Sequence, residues 1–202
     1  MPHILVLDWD QREIRLVLGQ TIGRKTQVLA LNSLPLPALG ENPEDGDQAL
    51  GTQIKEWLAQ WRTDRLRVLV ALPRSSVELL YLTLPPATDE ELPELVTNLA
   101  VQESPTISEQ TLLDFLPSAG TPEAPRLVLA AALADEEQRR IRGRLAAAGL
   151  TPQRIVLRPL GGASLFRQLI ASSDRTCLVI NRIGQDVELN LVAPGRIVFS
   201  RT

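Results

Sequence analysis

The chain has 202 residues, 44% hydrophobic and 22% charged, with a net charge of −3. That size buries a core without staples, and that balance excludes a purely electrostatic nucleic-acid binder. One histidine (His3), one cysteine (Cys177) and two lysines (Lys25, Lys55) exclude a His/Cys zinc set, a Ser-His or Cys-His couple and a Walker-type phosphate loop.

Residues 3–8 read as a buried strand, 12–18 as its hairpin partner and 25–34 as a third strand, an antiparallel meander. The turn between the first two carries Asp8 and Asp10 around Trp9. Acids at a strand end without a glycine read first as solvated turn acids, with a magnesium-nucleotide contact as the competing reading. Trp9 reads as packing inward. "LPLPALGENPEDGD" is a surface loop. Leu50, Ile54, Trp57, Leu58 and Trp61 then predict a helix that ends near Thr63 and buries both tryptophans. "LRVLVALP" is a continuous apolar run, expected as a parallel strand after the crossover helix, and completes a β-β-β-α-β unit.

From Val77 the texture changes. "VELLYLTLPP" reads as a strand, and Leu92, Leu95, Val96 and Leu99 mark a helix. Thr88 and Glu91 suggest a capping box, while Pro93 demands a start near Glu91. Leu112–Leu116 and Arg126–Leu133 are two more strands, and "DEEQRRIRGRLAAAG" is a helix with Asp135 near its start and Gly149 at its end. A short strand, "QRIVLRP", precedes a helix around Gly162 to Ile170, where Gly161-Gly162-Ala163-Ser164 at the helix start is a weak anion-cradle candidate.

The acids Asp89, Glu90, Glu91 and Glu94 read as a solvated first turn, and the basic run of Arg139, Arg140, Arg142 and Arg144 as an ordinary amphipathic face. Three strand-like runs follow, "TCLVINRI", "DVELNLVA" and "GRIVFSRT". "TCLVINRIGQDVELNLV" aligns with "HILVLDWDQREIRLVLG", so the chain repeats its opening meander. Cys177 inside an apolar run reads as a buried hydrophobe in a reducing compartment. No run approaches the roughly 20 apolar residues of a membrane span, and Met-Pro-His before a strand is not a signal peptide.

Two related β-β-β-α-β lobes, each with a polar turn between its first strands, are the plan of the actin-like ATPase superfamily. Within it, "VALPRSSVELLYLTLPPATDEEL" into "VQESP", "RIVLRPLGGASLFRQL" and "CLVINRIGQDVELNLVAPGRIVFSR" resemble the PilM-like type IV pilus assembly family. That family is related to the cytoplasmic part of the type II secretion protein GspL and to FtsA. The resemblance implies an α/β fold. Its first lobe is actin-like and ribonuclease H-like, begins at 1–76 and resumes with a strand and linker helix at 151–175. A strand-helix-strand-strand-helix subdomain is inserted at 77–150, and 176–202 begin a second lobe that looks cut short, which reads as a fragment of a longer protein.

The resemblance also implies nucleotide turns of the form Asp-x-Gly, whose amides meet phosphate and whose acid helps hold magnesium-bound water. Asp8 matches the first acid, Asp10 replaces the glycine, Asn181 replaces the second acid, and Gly184 matches the second glycine. Each turn has lost one feature, so binding of ATP with magnesium is weakened and hydrolysis is put in doubt. The expected function is a scaffold of a pilus or type II secretion platform, cytoplasmic and peripheral to the inner membrane. The expected partner is the cytoplasmic tail of a PilN-like protein, held in a groove between the first lobe and the insert, with Leu80, Leu82, Leu92, Leu95 and Leu99 along it. The alternatives are an active actin-fold ATPase or phosphotransferase using Asp8 and Asp10 with magnesium, and an FtsA-like membrane-associated filament subunit. Self-association through the exposed second-lobe strands is a further expectation.

Overall fold

The computed structural model describes residues 3–10, 12–23, 25–36, 43–61, 65–108, 110–118, 120–169, 175–184, 186–194 and 196–202. They divide into two compact units, Met1–Pro73 with Arg139–Arg158, and Arg74–Gln138 with Pro159–Thr202.

In the first unit, β1 (His3–Trp9), β2 (Glu13–Ile22), β3 (Lys25–Pro35), β4 (Leu66–Leu72) and β8 (Arg154–Leu157) form one mixed sheet in the order β3-β2-β1-β4-β8. The meander β1–β3 is antiparallel, and β4 and β8 join parallel to β1. Alternation decides the faces: Leu5, Leu7 and Trp9 of β1 and Ile14, Leu16 and Leu18 of β2 are all buried, paired across the ladder. Trp9 packs inward, as expected. β2 runs to Ile22, beyond the expected end at 18, because a bulge at Leu18/Gly19 carries the pairing on to Lys25. A Cβ at Gly19 would stand 3.0 Å from the Gln27 carbonyl oxygen, which is why glycine sits there.

Helix α1 (Pro43–Leu58) buries Leu50, Ile54 and Leu58. It ends before the expected limit near Thr63, which lies outside the described residues together with 37–42 of the preceding loop. Trp57 and Trp61 are half-buried, not core, because Leu50, Ile54 and Leu58 already fill the inward stripe. Helix α3 (Asp135–Ala147) buries Ile141 and Leu145 and lies against α1, so closely that a Cβ on Gly51 would come 2.5 Å from the Ala147 carbonyl carbon. Arg144 Nε donates to Asp47 across the same contact at 2.9 Å. The helix counted with the insert in the sequence thus spends its buried face, from Arg139 onward, on the first unit. It ends in a Schellman motif with Gly149 left-handed at φ 68 and the Leu150 N–H bonded to the Leu145 carbonyl at 2.8 Å.

The second unit holds two three-stranded antiparallel sheets. The first, in the order β5-β7-β6, comprises β5 (Glu78–Leu84), β6 (Leu112–Pro117) and β7 (Arg126–Leu133), and α2 (Leu92–Glu103) covers one of its faces. Helix α2 starts one residue after Glu91 with Pro93 in its first turn, as the proline requires. The Glu91 carboxylate reaches back to the Thr88 N–H and hydroxyl, both at 2.8 Å, and so caps the turn ahead of the helix. The second sheet, β11-β10-β9, comprises β9 (Cys177–Ile183), β10 (Asp186–Ala193) and β11 (Arg196–Arg201). Its inner face packs Val179, Val192 and Ile197 with Ala163 and Leu160 of α4 (Arg158–Leu169). Cys177 is half-buried, because the strand end that carries it is only partly covered.

Candidate functional site

The turn that joins β1 to β2 is the part of the fold where the sequence places chemistry. Register puts Asp8 directly opposite Arg15. Arg15 Nη1 donates to Asp8 Oδ2 at 3.1 Å, and its Nη2 bonds both Asp10 Oδ2 and Glu13 Oε1. On the other side, Arg158 donates to Asp8 Oδ1 through Nε at 2.9 Å and Nη2 at 2.7 Å, and Nη2 also reaches the Trp9 carbonyl at 3.0 Å. Arg158 is buried, and this pairing with Asp8 neutralises its charge there.

Asp10 has a local task. Its Oδ1 accepts the Arg12 N–H at 2.7 Å and the Glu13 N–H at 3.1 Å, while its own N–H closes the hairpin on the Glu13 carbonyl at 3.1 Å. Burial pushes its carboxyl up, but the Arg12 N–H, the Arg15 guanidinium and the Glu13 N–H together outweigh that and hold it below the usual aspartate range. Arg15 is held correspondingly above its usual range, with burial opposed by Asp10, Glu13 and Asp8.

These contacts bear on the fit of a magnesium-nucleotide group. Both Asp8 oxygens face guanidinium groups, and the amides at Arg12 and Glu13 point at Asp10 rather than outward. A metal-bound water at Asp8 would have to displace Arg15 or Arg158, so the residues present do not fit the group as they stand. Among the described residues no cluster of three or more His, Cys, Asp or Glu is arranged to hold a metal ion.

The second turn repeats the first in register. Asn181 stands opposite Glu188 as Asp8 stands opposite Arg15, and Asp186 closes on Ile183 where Glu13 closes on Asp10. Gly184, with φ 60, therefore lies one place beyond the position of Asp10, and its left-handed conformation makes the hairpin turn. Asn181 packs its carboxamide on α4, where a Cβ at Gly162 would come 2.5 Å from Nδ2. Helix α4 begins at Arg158, four residues before Gly162, and Ile170 lies outside the described residues. The glycine pair is thus inside the helix, where its amides are committed to helical bonding, and the anion-cradle expectation is corrected. Glu188 is fully buried and accepts the Arg74 N–H at 3.0 Å. Ser200 donates to the buried Asn190 Oδ1 at 2.6 Å.

The five leucines expected along a docking groove belong to the packing of the insert. Leu82 and Leu92 are core residues, 4% and 2% exposed, and Leu80, Leu95 and Leu99 are half-buried against the same cluster.

The sequence reading did not single out Arg15, Arg158, Glu188 or Arg74. Hairpin register would have paired Arg15 with Asp8, and the internal repeat would then have pointed to Glu188. Nothing local announces Arg158, which lies far along the chain from its partner.

With this geometry in place, the fold is that of the actin-like ATPases. It aligns over 98% of the chain and 68% of the partner with a protein of actin-like ATPase fold from Bacteroides thetaiotaomicron, at TM-score 0.54 and 8% identity. The chain is also similar to a component of a pilus machine. It matches a chain of a PilM-PilN type IV pilus biogenesis complex at TM-score 0.81 and 27% identity over 98% of its own length. It also matches the cytoplasmic domain of EpsL, an inner-membrane component of the type II secretion system of Vibrio cholerae, at TM-score 0.65 and 17% identity over 94% of the chain and 68% of that domain. The chain spans 60% of the length of the matched chain in the pilus complex. No protein-family model matches the sequence, and no curated protein sequence matches it.

Proposed function

We propose that the protein is a scaffold of a type IV pilus or type II secretion inner-membrane platform, working on the cytoplasmic side and docking the cytoplasmic tail of a PilN-like membrane protein. The observation that carries this reading is the likeness to a chain of a PilM-PilN complex across nearly the whole of this chain. No described helix is long and apolar enough to cross a membrane, consistent with attachment through a partner. The arginines on Asp8 favour a structural over a catalytic turn, since an ATPase needs that carboxylate free to orient water on magnesium.

A pull-down with the N-terminal tail of a PilN-like inner-membrane protein tests the docking role, with retention expected. Failure of the tail to bind removes this reading. Calorimetry with magnesium-ATP tests the scaffold against the ATPase: binding that Asp8→Ala abolishes would replace the scaffold with a nucleotide-dependent protein.

A further inference from the structure

Strand β11 stands at one edge of the second-unit sheet β11-β10-β9, and a strand in that place turns every second N–H and C=O away from its sheet. Ser200 is such a residue. It stands opposite Asn190, and its hydroxyl donates to Asn190 Oδ1 at 2.6 Å. Its main-chain groups meet the insert instead of β10. The Ser200 carbonyl accepts from Arg74 Nε at 3.2 Å, and the Ser200 N–H faces the Tyr81 hydroxyl. Ser200 is only 4% exposed, so these main-chain groups depend on protein partners rather than on water, and the two side chains provide them.

Arg74 is fixed for this task from both ends. It opens a single 3-10 turn, Arg74–Ser76, just ahead of β5. Its N–H donates to the carboxylate of the buried Glu188 on β10 at 3.0 Å, and its Nη1 donates to the Val77 carbonyl at 2.6 Å. Tyr81 reaches the same place from β5. Burial pushes its hydroxyl above the usual tyrosine range, against the opposing pull of the Arg74 charge and the Ser200 N–H. The strand they cover reads Arg-Ile-Val-Phe-Ser-Arg, and its β-branched and aromatic centre is the composition that pairs most readily with another strand.

We propose that Arg74 and Tyr81 form a clasp on the edge of β11: by taking the hydrogen-bonding places of Ser200 they keep that edge from pairing with β11 of a second copy. Every residue of the clasp lies in the second unit.

The test is sedimentation velocity of the 202-residue protein carrying Arg74→Ala and Tyr81→Phe together. Arg74→Ala keeps the main-chain N–H on Glu188, and Tyr81→Phe keeps the ring. The double variant is expected to self-associate about tenfold more tightly than the parent, and Val198→Lys, which sets a charge on the same edge strand, to reverse the gain. Amide hydrogen exchange at Ser200 is the second readout. It is expected to quicken roughly tenfold in Tyr81→Phe alone, with the β2 amides unchanged. Where the double variant no longer melts cooperatively, Tyr81→Phe carries both readouts. Association no tighter than that of the parent overturns the proposal, as does a gain that Val198→Lys leaves in place, which would locate it on another surface. Unchanged exchange at Ser200 in Tyr81→Phe overturns it too, because the amide would then rely on a different partner.

Discussion

Asp8 and Arg15 stand directly opposite each other in the β1–β2 ladder, 3.1 Å apart at Oδ2 and Nη1, and Arg158 closes on the other Asp8 oxygen at 2.7 Å. An aspartate flanked in this way by two guanidinium groups holds the hairpin to Arg158 within the first unit. Its removal exposes what the pairing is worth. Asp8→Ala leaves Arg158 buried without its carboxylate and is expected to lower stability by about 3 kcal/mol. In a thermal melt that is a fall of about 6–12 °C for a chain of this size. A melt within a degree of the parent would mean that the pair carries no stability.

Asp10 sets an acid limit for the same hairpin. Its carboxyl titrates below the usual range in the folded chain, so it contributes stability above its unfolded pKa and loses that contribution as pH falls through the lower folded value. Urea melts between about pH 5 and pH 2 are expected to show this loss below about pH 4. Asp10→Asn keeps an acceptor for the Arg12 and Glu13 amides, costs about 0.5–1 kcal/mol at pH 7 and flattens the acid slope. A slope identical in Asp10→Asn would assign the acid limit to other groups.

The neighbouring glycines of α4 predict opposite outcomes. A Cβ at Gly161 meets nothing within 4 Å, so Gly161→Ala is expected to stabilise by about 0.5–1 kcal/mol through helix propensity. At Gly162 the same methyl group meets the Asn181 carboxamide at 2.5 Å. Gly162→Ala should therefore lose that gain and fall about 1 kcal/mol or more below Gly161→Ala. Equal stability of the two variants would show that Asn181 yields freely.

Gly51 is more stringent, because its neighbour is backbone. The added methyl group would strike the carbonyl of Ala147 at 2.5–2.7 Å and part α1 from α3. Gly51→Ala is expected to destabilise by about 1–3 kcal/mol although alanine is the better helix former. Gly143→Ala on α3, where nothing stands within 4 Å, is the control and should stabilise.

For the insert, Leu82→Ala and Leu92→Ala are expected to cost about 2–5 kcal/mol each, because both side chains fill the core under α2. Calorimetric unfolding checks this. A cost below about 1 kcal/mol would mean that these leucines do not carry the core of the insert.

The sequence by itself determined the strands, the helices and their order, because each rests on local information. Period-two alternation gave β1, β2 and β10, Pro93 set the start of α2, and Gly149 set the end of α3. The self-similarity of "HILVLDWDQREIRLVLG" and "TCLVINRIGQDVELNLV" carries the repeat, and the order of segments matches the plan of the actin-like fold. What only the tertiary structure decided is who meets whom across long separations. Arg158 neutralises Asp8, α3 lies against α1 where Ala147 meets Gly51, and Asn181 settles on Gly162. An acid in a turn looks the same in sequence whether it faces magnesium, water or a guanidinium, since its role is set by the charge that folding brings beside it.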